Sequence, residues 1–357
     1  MSAYPGSEKE RRVEAGALET VVRNVFERCG MSGEDAGLLA DTLVTADRRG
    51  VHSHGVLRAP EYVKKLRGGG VNPAGRPAIV QDAGAALLID GDNSMGQIGA
   101  TFAMRRAIER ARTTGVAAAA VRGSNHCGAM AYYAMLAPAE DMIGIATTNA
   151  LPTMAPWGGI DKILGINPLA VAVPAGEETP IVYDAAFSAS SIGKIRVYRQ
   201  KGLPIPEQWA FDASGGPTTD PAAAIAGLLQ PIGGYKGTSL ALVMGILSAV
   251  LSGASYGPEL GSLAEGATAG RDGHFFVALR IAAFEDVGVF RKRVDGIIRQ
   301  IRSGRRAPGV ERIYAPGEME AETESDYQRN GIPLNAATLE DLVQAAGRLG
   351  VDASALR

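Results

Sequence analysis

Residues 49–60 read RGVHSHGVLRAP and set His52 and His54, two of the chain's four histidines, beside Ser53 and just ahead of Arg58. His54 and Arg58 stand at i, i+4 spacing, so both side chains share a face if the chain turns helical there. A guanidinium's planar fork holds a small carboxylate at both oxygens. An imidazole beside it can exchange a proton with an oxygen on the neighbouring carbon. The same residues also suit a solvated loop that caps a helix, and spacing alone leaves both readings open.

A second polar segment, RGSNHCG at 122–128, directly follows the apolar run Val116–Val121. A strand that ends in small residues before a helix is where α/β proteins place ligands, and a helix start favours anions. N-capping explains Ser124 or Asn125 but not His126. Asp184 closes another apolar run, where it suits a ribose hydroxyl, an imidazole or a plain helix N-cap. The stretch Pro231-Ile-Gly-Gly-Tyr-Lys-Gly237 offers glycine N–H groups beside Lys236, the composition of a phosphate cradle. Ala315-Pro-Gly-Glu318 is a turn to which local rules assign no chemistry.

These residues need elements to hold them. Apolar residues recur at helical spacing over 8–29, and Ser32 with Asp35 makes a capping-box-like start for a second helix ending near Gly50. A third helix begins around Pro60 and ends in Gly68-Gly69-Gly70. The histidine cluster therefore falls between the second and third helices. From about residue 76, short apolar runs at 79–80, 86–90, 116–121, 142–148, 169–173, 181–184 and 274–284 read as buried strands. Helical patterns lie at 97–113, 129–139, 188–200, 237–252, 286–302 and 338–349. The alternation predicts an α/β fold with a mixed or parallel sheet. We expect a flexible tail at 1–9, a helical domain at 10–75 with 310–357 packing back on it, and an α/β domain at 76–309.

The bulk composition bounds the partners. With 357 residues, a net charge of −2 and both charge signs interspersed, nothing supplies the footprint for nucleic acid or an anionic membrane. The start of the chain has no apolar signal core, and Leu240–Leu251, read as a buried helix, is too short to span a bilayer. Two distant cysteines, Cys29 and Cys127, suit free thiols in a reducing cytoplasm. The dinucleotide fingerprint G-x-G-x-x-G is absent; Gly68 and Gly70 come nearest, with Pro73 in place of the third glycine. The P-loop, H-E-x-x-H and paired C-x-x-C motifs are absent too.

Taken in order, several segments resemble the type-2 malate/L-lactate dehydrogenases. They are ADRRGVHSHGVLRAPEY at 46–62, RGSNHCGAM at 122–130, GINPLAVAVP at 165–174, DAAFSASSIGKI at 184–195, PTTDP at 217–221, GGYKG at 233–237, YAPGE at 314–318 and RNGIPL at 329–334. The family includes malate, sulfolactate and ureidoglycolate dehydrogenases, a diketogulonate reductase and cyclic imino acid reductases. The resemblance implies a homodimeric NAD- or NADP-dependent oxidoreductase with a non-Rossmann nucleotide-binding fold, acting at C2 of a small 2-oxo or 2-hydroxy acid, or of a cyclic 2-imino acid. It implies His54 as proton donor and acceptor, with Ser53 and Asp184 orienting it. Arg58 would hold the substrate carboxylate, and His126 would line the same pocket, in some members as the acid/base. Asp184, Ala185, Ala186, Ser188, Lys236, Pro316, Gly317 and Glu318 would contact the cofactor.

One departure stands out. The family pattern after this aspartate is DMATS, whereas this chain has DAAFS. Phe187 puts a ring where a small hydroxyl is expected, which predicts an altered substrate pocket or cofactor preference. A different class, a metal-dependent hydrolase using His52, His54 and His126, lacks the acidic cluster that would complete a catalytic metal site. A non-catalytic member is disfavoured by the intact Ser53, His54, Arg58 and Asp184 set.

Overall fold

The computed structural model describes residues 9–356, so residues 1–8 of the expected tail lie outside the described residues. The chain opens with strand β1 (Arg11–Val13) and helices α1 (Ala15–Glu27), α2 (Gly33–Arg48) and α3 (Ala59–Gly68). Next come β2 (Ala78–Asp82), β3 (Ala86–Asp90), α4 (Gly96–Thr114), β4 (Val116–Ser124), α5 (Ala131–Ala134) and β5 (Met142–Thr148). The short strands β6 (Pro152–Met154) and β7 (Leu164–Gly165) precede β8 (Leu169–Val173), β9 (Ile181–Ala185) and α6 (Ile192–Gln200). After β10 (Ala210–Phe211), α7 (Pro221–Ala226) and β11 (Leu228–Leu229) comes α8 (Tyr235–Gly245). The chain continues through β12 (Asp272–Arg280), α9 (Val287–Ser303), α10 (Glu318–Asn330), β13 (Ile332–Leu334) and α11 (Ala336–Arg348).

Local chemistry accounts for the helix starts near the site. The Ser32 hydroxyl accepts the Asp35 N–H at 3.1 Å and opens α2, as its spacing predicts. Pro60 sits in the first turn of α3, and Gly69 ends that helix at φ +81°. The helical run expected from residue 8 begins instead with β1, because Arg11–Val13 pairs antiparallel with β13.

The main sheet has seven strands in the order β2-β3-β4-β12-β5-β8-β9. Only β3 and β4 run parallel; the other neighbours are antiparallel, so the sheet is mixed. The late strand β12 lies between β4 and β5, opposing His274 to Val121 on one side and Thr148 on the other. An irregularity between Asp272 and His274 shifts the register there. Helices α4 and α5 pack alanines and Met104 against the sheet in one core. A second core joins α1–α3 to Ile332, Leu334, Leu342, Ala346 and Leu356 near the chain's end.

Three expectations are corrected. Every residue of β2 is exposed, because it is an edge strand. The pattern at 129–139 yields only the one-turn α5 and a 3-10 turn at Pro138–Glu140. The run Leu240–Leu251 is helical but not buried: Ala241, Gly245 and Ala249 face inward, while Leu240, Val243, Ile246, Val250 and Leu251 are exposed. Small residues on one face let α8 approach the sheet closely and leave its large apolar residues outward. Among the described residues no helix is long and apolar enough to cross a membrane.

Candidate active site

The loop between α2 and α3 is shaped by a buried acid. Asp47, 1% exposed, accepts the Val56 N–H and pairs with His52 Nδ1, both at 2.7 Å. Burial pushes the Asp47 carboxyl above its ordinary range, and the His52 contact opposes that rise. The carboxylate draws residues 52–58 into two successive 3-10 turns. Gly55 is required by close approach, since a Cβ there would lie 2.1 Å from Asp47 Oδ1. His52 also stacks on Tyr327 at 6.1 Å, so it secures the loop and does not join the other imidazoles.

The turns deliver Ser53, His54 and Arg58 to two adjoining clefts. Ser53 Oγ lies 2.9 Å from His54 Nδ1. Arg58 donates from Nε to the Ser53 carbonyl and from Nη1 to Glu61, each at 2.8 Å, which fixes its guanidinium and leaves Nη2 for a ligand. Burial, then the Arg58 charge, lowers His54 to about 4, so its imidazole is neutral near pH 7.

His126, from the loop after β4, stacks on His54 with ring centroids 5.8 Å apart. Gln97 Nε2 donates to Tyr62 Oη at 3.1 Å, leaving the Tyr62 hydroxyl proton for His126 Nδ1 at 2.7 Å. With the hydroxyl donating to Nδ1, the ring proton of His126 sits on Nε2. Burial and the neighbouring Arg58 hold His126 well below the usual histidine range. Ser124 and Asn125 serve structure and cap no helix: Ser124 Oγ meets the buried His274 at 2.8 Å, and Asn125 ties Asn93 and Ser94 to Gly270.

The two clefts meet at Ser53, His54, Gly128, Ile166 and Pro168, which line both. One extends along Asp184, Ala185, Ala186, Arg49 and Glu320. The other extends along Arg58, His126, Lys65 and Asp272. Asp184 ends β9 and accepts the Ala131 N–H at 2.7 Å, so it caps α5 across the fold and makes no hydrogen bond to His54. The expected orienting contact to His54 is therefore made by Ser53 alone. Surrounding protein pushes the Asp184 carboxyl up to about 6, although the group opens on the cleft; Ala131 opposes the rise and Glu320 adds to it.

Other expected cofactor contacts lie outside both clefts. Ser188 Oγ donates to the Ser190 carbonyl at 2.6 Å, and Lys236 is exposed at the start of α8. Glu318 is 3% exposed, its carboxylate taken up by Arg302, Arg312 and the Ala315 N–H, all at 2.7 Å. The Pro316 carbonyl accepts the Val182 N–H at 3.0 Å, so the 316–318 turn braces β9 from behind. Phe187 is 2% exposed in a core with Met154, Ile195 and Leu229, and its ring lines neither cleft. The altered substrate pocket or cofactor preference expected of Phe187 therefore does not come from its ring entering a cleft, which leaves the replaced hydroxyl as its source.

Among the described residues no three His, Cys, Asp or Glu side chains are grouped to hold a metal ion. A serine-elbow pattern does occur at Gly253-Ala-Ser-Tyr-Gly257, but it follows a helix and leads into a 3-10 turn, not from strand to helix. Lys65, Arg49, Asp272 and Glu320 line the clefts, and Tyr62 and Gln97 lie buried behind His126; sequence reasoning gave none of them a site role. For Lys65 a signal existed: it is a charged residue on the face of α3 that buries Tyr62 and Leu66.

A profile of the malate/L-lactate dehydrogenase family matches residues 13–343. The malate dehydrogenase of Pyrococcus horikoshii is 38% identical over 349 residues, covering 96% of each chain. Its solved structure superposes with a TM-score of 0.89 at 36% identity, covering 97% of each chain. Ureidoglycolate dehydrogenase (NAD(+)) of Escherichia coli K12 is 32% identical, over 86% of this chain and 88% of its own. A (2R)-3-sulfolactate dehydrogenase (NADP(+)) of Chromohalobacter salexigens is 35% identical, over 85% and 91%. The delta1-piperideine-2-carboxylate reductase structure from Pseudomonas syringae superposes with a TM-score of 0.83 at 29% identity, over 94% and 99%.

Proposed function

The chain belongs to the malate/L-lactate dehydrogenase family, and from that premise we propose that it is an NAD- or NADP-dependent oxidoreductase working at C2 of a small 2-oxo or 2-hydroxy acid. One observation carries the assignment: His54 stands where the Asp184 cleft meets the Arg58 cleft. A nicotinamide in the first and a carboxylate substrate in the second would face each other across one imidazole.

The Asp184 cleft suits the cofactor chemically. Gly128, Ala129, Ala185 and Ala186 leave a slot for a flat ring. Among the described residues no side chain hydrogen-bonds the Asp184 carboxylate, which leaves it for a ribose hydroxyl. When bound, the nicotinamide supplies or accepts the hydride, and the redox chemistry is its own. The 316–318 turn supports this cleft from behind through Val182. Its cofactor role is then to hold β9 in place, with Ser188 and Lys236 acting only if the bound state closes over them.

Arg58 receives the substrate carboxylate through its open Nη2, which fixes C2 relative to His54. That carboxylate offsets the Arg58 charge that now depresses His54, so substrate binding raises the affinity of His54 for a proton. His54 then gives the proton to the oxygen on C2 during reduction and takes it back during oxidation, worth ~10²–10⁴ in rate. Ser53 holds the Nδ1 edge of the ring throughout. His126, its tautomer set by Tyr62, donates a hydrogen bond from Nε2 to the same oxygen.

A cyclic 2-imino acid presents the same carboxylate next to a C=N bond, and the reductase structure matched above keeps that second substrate class in view. The exposed apolar side of α8 with Trp157 and Ile160 is a surface a second copy would cover, which supports a homodimer. A cytoplasmic setting fits the two free thiols. The test is a panel of 2-oxo and cyclic imino acids, each assayed with NADH and NADPH by loss of nicotinamide absorbance. Turnover of at least one acid supports the proposal, and inactivity across the panel in both directions contradicts it.

A further inference from the structure

The Arg58 cleft has a second cation at its far end. Lys65 is 2% exposed and lines the cleft, although charged side chains are seldom so deeply enclosed. It lies on the face of α3 that buries Tyr62, three residues before it, and Arg58 caps the start of that helix seven residues before it. Seven residues of helix put Lys65 about 10 Å along the axis from Arg58, with Tyr62 and its His126 contact between them. Helix α3 and its N-cap thus set a guanidinium and an ammonium along the cleft, with the buried Tyr62 hydroxyl behind His126 between them.

The surroundings leave that ammonium only partly satisfied. Lys65 Nζ donates to the Thr268 carbonyl at 2.5 Å, one bond for a group with three N–H donors. Asp272 lines the same cleft from β12, but no ion pair joins it to Lys65. Burial pushes the Asp272 carboxyl up to about 7, with the Lys65 charge opposing the rise, so near neutral pH it offsets the ammonium only in part. Leu151, Ile192, Leu229 and Leu263 supply apolar wall between the charged groups. A monocarboxylate held at Arg58 would leave this end of the cleft unmatched.

Resting on the function proposed above, we propose that Lys65 is a specificity-determining residue that binds a second anionic group, a carboxylate or sulfonate, at the far end of the substrate. The cleft then takes dianionic 2-oxo and 2-hydroxy acids in preference to those with an apolar tail. Arg58 grips the carboxylate next to the reacting carbon, and Lys65 reads the other end.

The competing account is that Lys65 only staples the 261–271 loop to α3, as Lys64 does through its bond to the Ala264 carbonyl at 2.6 Å. The experiment measures kcat/KM for oxaloacetate and for pyruvate in the wild type, Lys65→Met and Lys65→Arg, with thermal midpoints and nucleotide binding recorded alongside. The proposal expects the wild type to favour oxaloacetate. It expects Lys65→Met to lose ~10–100-fold on oxaloacetate with less than about threefold change on pyruvate, and Lys65→Arg to keep the preference. An equal fall on both acids, or a preference unchanged in Lys65→Met, overturns it in favour of the staple. A wild type that turns over pyruvate but not oxaloacetate overturns it as well. A wild type that reduces no acid in the wider panel fails the proposed function itself, a result distinct from all of these.

Discussion

The imidazoles of His54 and His126 stack with their ring planes 10° apart, although 72 residues of sequence separate them. One comes from a loop coiled around Asp47, the other from the end of a sheet strand. Both rings are held neutral by burial and by Arg58. They differ in what holds Nδ1: a serine hydroxyl for His54, and for His126 a buried tyrosine hydroxyl that Gln97 also contacts. A ring whose proton is locked suits hydrogen-bond donation, whereas a ring beside a rotatable hydroxyl suits proton exchange.

Tyr62→Phe removes the donor to His126 Nδ1 and frees that ring to change tautomer. We expect kcat to fall about tenfold, the scale of one buried hydrogen bond, with nucleotide affinity unchanged. Gln97→Leu acts on the same chain one bond further out and should show a smaller loss. Steady-state kinetics of the three proteins on one substrate checks the order; an unchanged kcat in Tyr62→Phe would remove His126 from the mechanism.

Asp184 connects activity to stability through pH. Its carboxyl is raised from 3.8 to about 6 in the folded chain. The stability this gives is therefore complete below about 4 and is lost as pH rises through about 6. At pH 8 the ionised group is a cost to folding, so Asp184→Asn should raise the thermal midpoint there by ~2 °C, a small gain because the carboxylate opens on solvent. In the proposed complex the ionised form is the stronger acceptor for a ribose hydroxyl. Wild-type nucleotide binding should accordingly strengthen as pH rises through about 6, and Asp184→Asn should flatten that limb. Nucleotide titrations from pH 5 to 8 decide this, and a limb that survives the substitution assigns it to another group.

Phe187→Thr opens a hole in a core instead of reshaping a pocket. The loss of a buried ring should destabilise the protein by about 3 kcal/mol, read by denaturant unfolding, while the NADH to NADPH activity ratio stays the same. A changed ratio at unchanged stability would reinstate Phe187 as a cofactor-selecting residue.

What the sequence disclosed follows from how local each relationship is. His54 and Arg58 stand four residues apart, so spacing raised a shared purpose, and only the family resemblance chose it over a helix-capping loop and added Ser53. His126 and Asp184 end apolar runs, and strand ends are where such a sheet places ligands. Asp272 was out of reach because its position depends on β12 entering the sheet between β4 and β5, a choice made by long-range pairing. Gln97 looked like an ordinary helical glutamine until α4 was seen to face Tyr62. Leu240–Leu251 misled because an apolar run does not say which of its faces the fold covers. Phe187 stands beside the site in sequence, but its ring turns into the core behind it, a direction that sequence position does not give.

The central claim is that His54 exchanges the proton at the substrate oxygen. The most direct measurement is kcat for 2-oxo acid reduction by His54→Ala beside the wild type, at saturating nucleotide and with nucleotide binding measured independently. The account predicts a loss of ~10²–10⁴ with binding retained. Full turnover in His54→Ala would contradict it and pass the proton to His126.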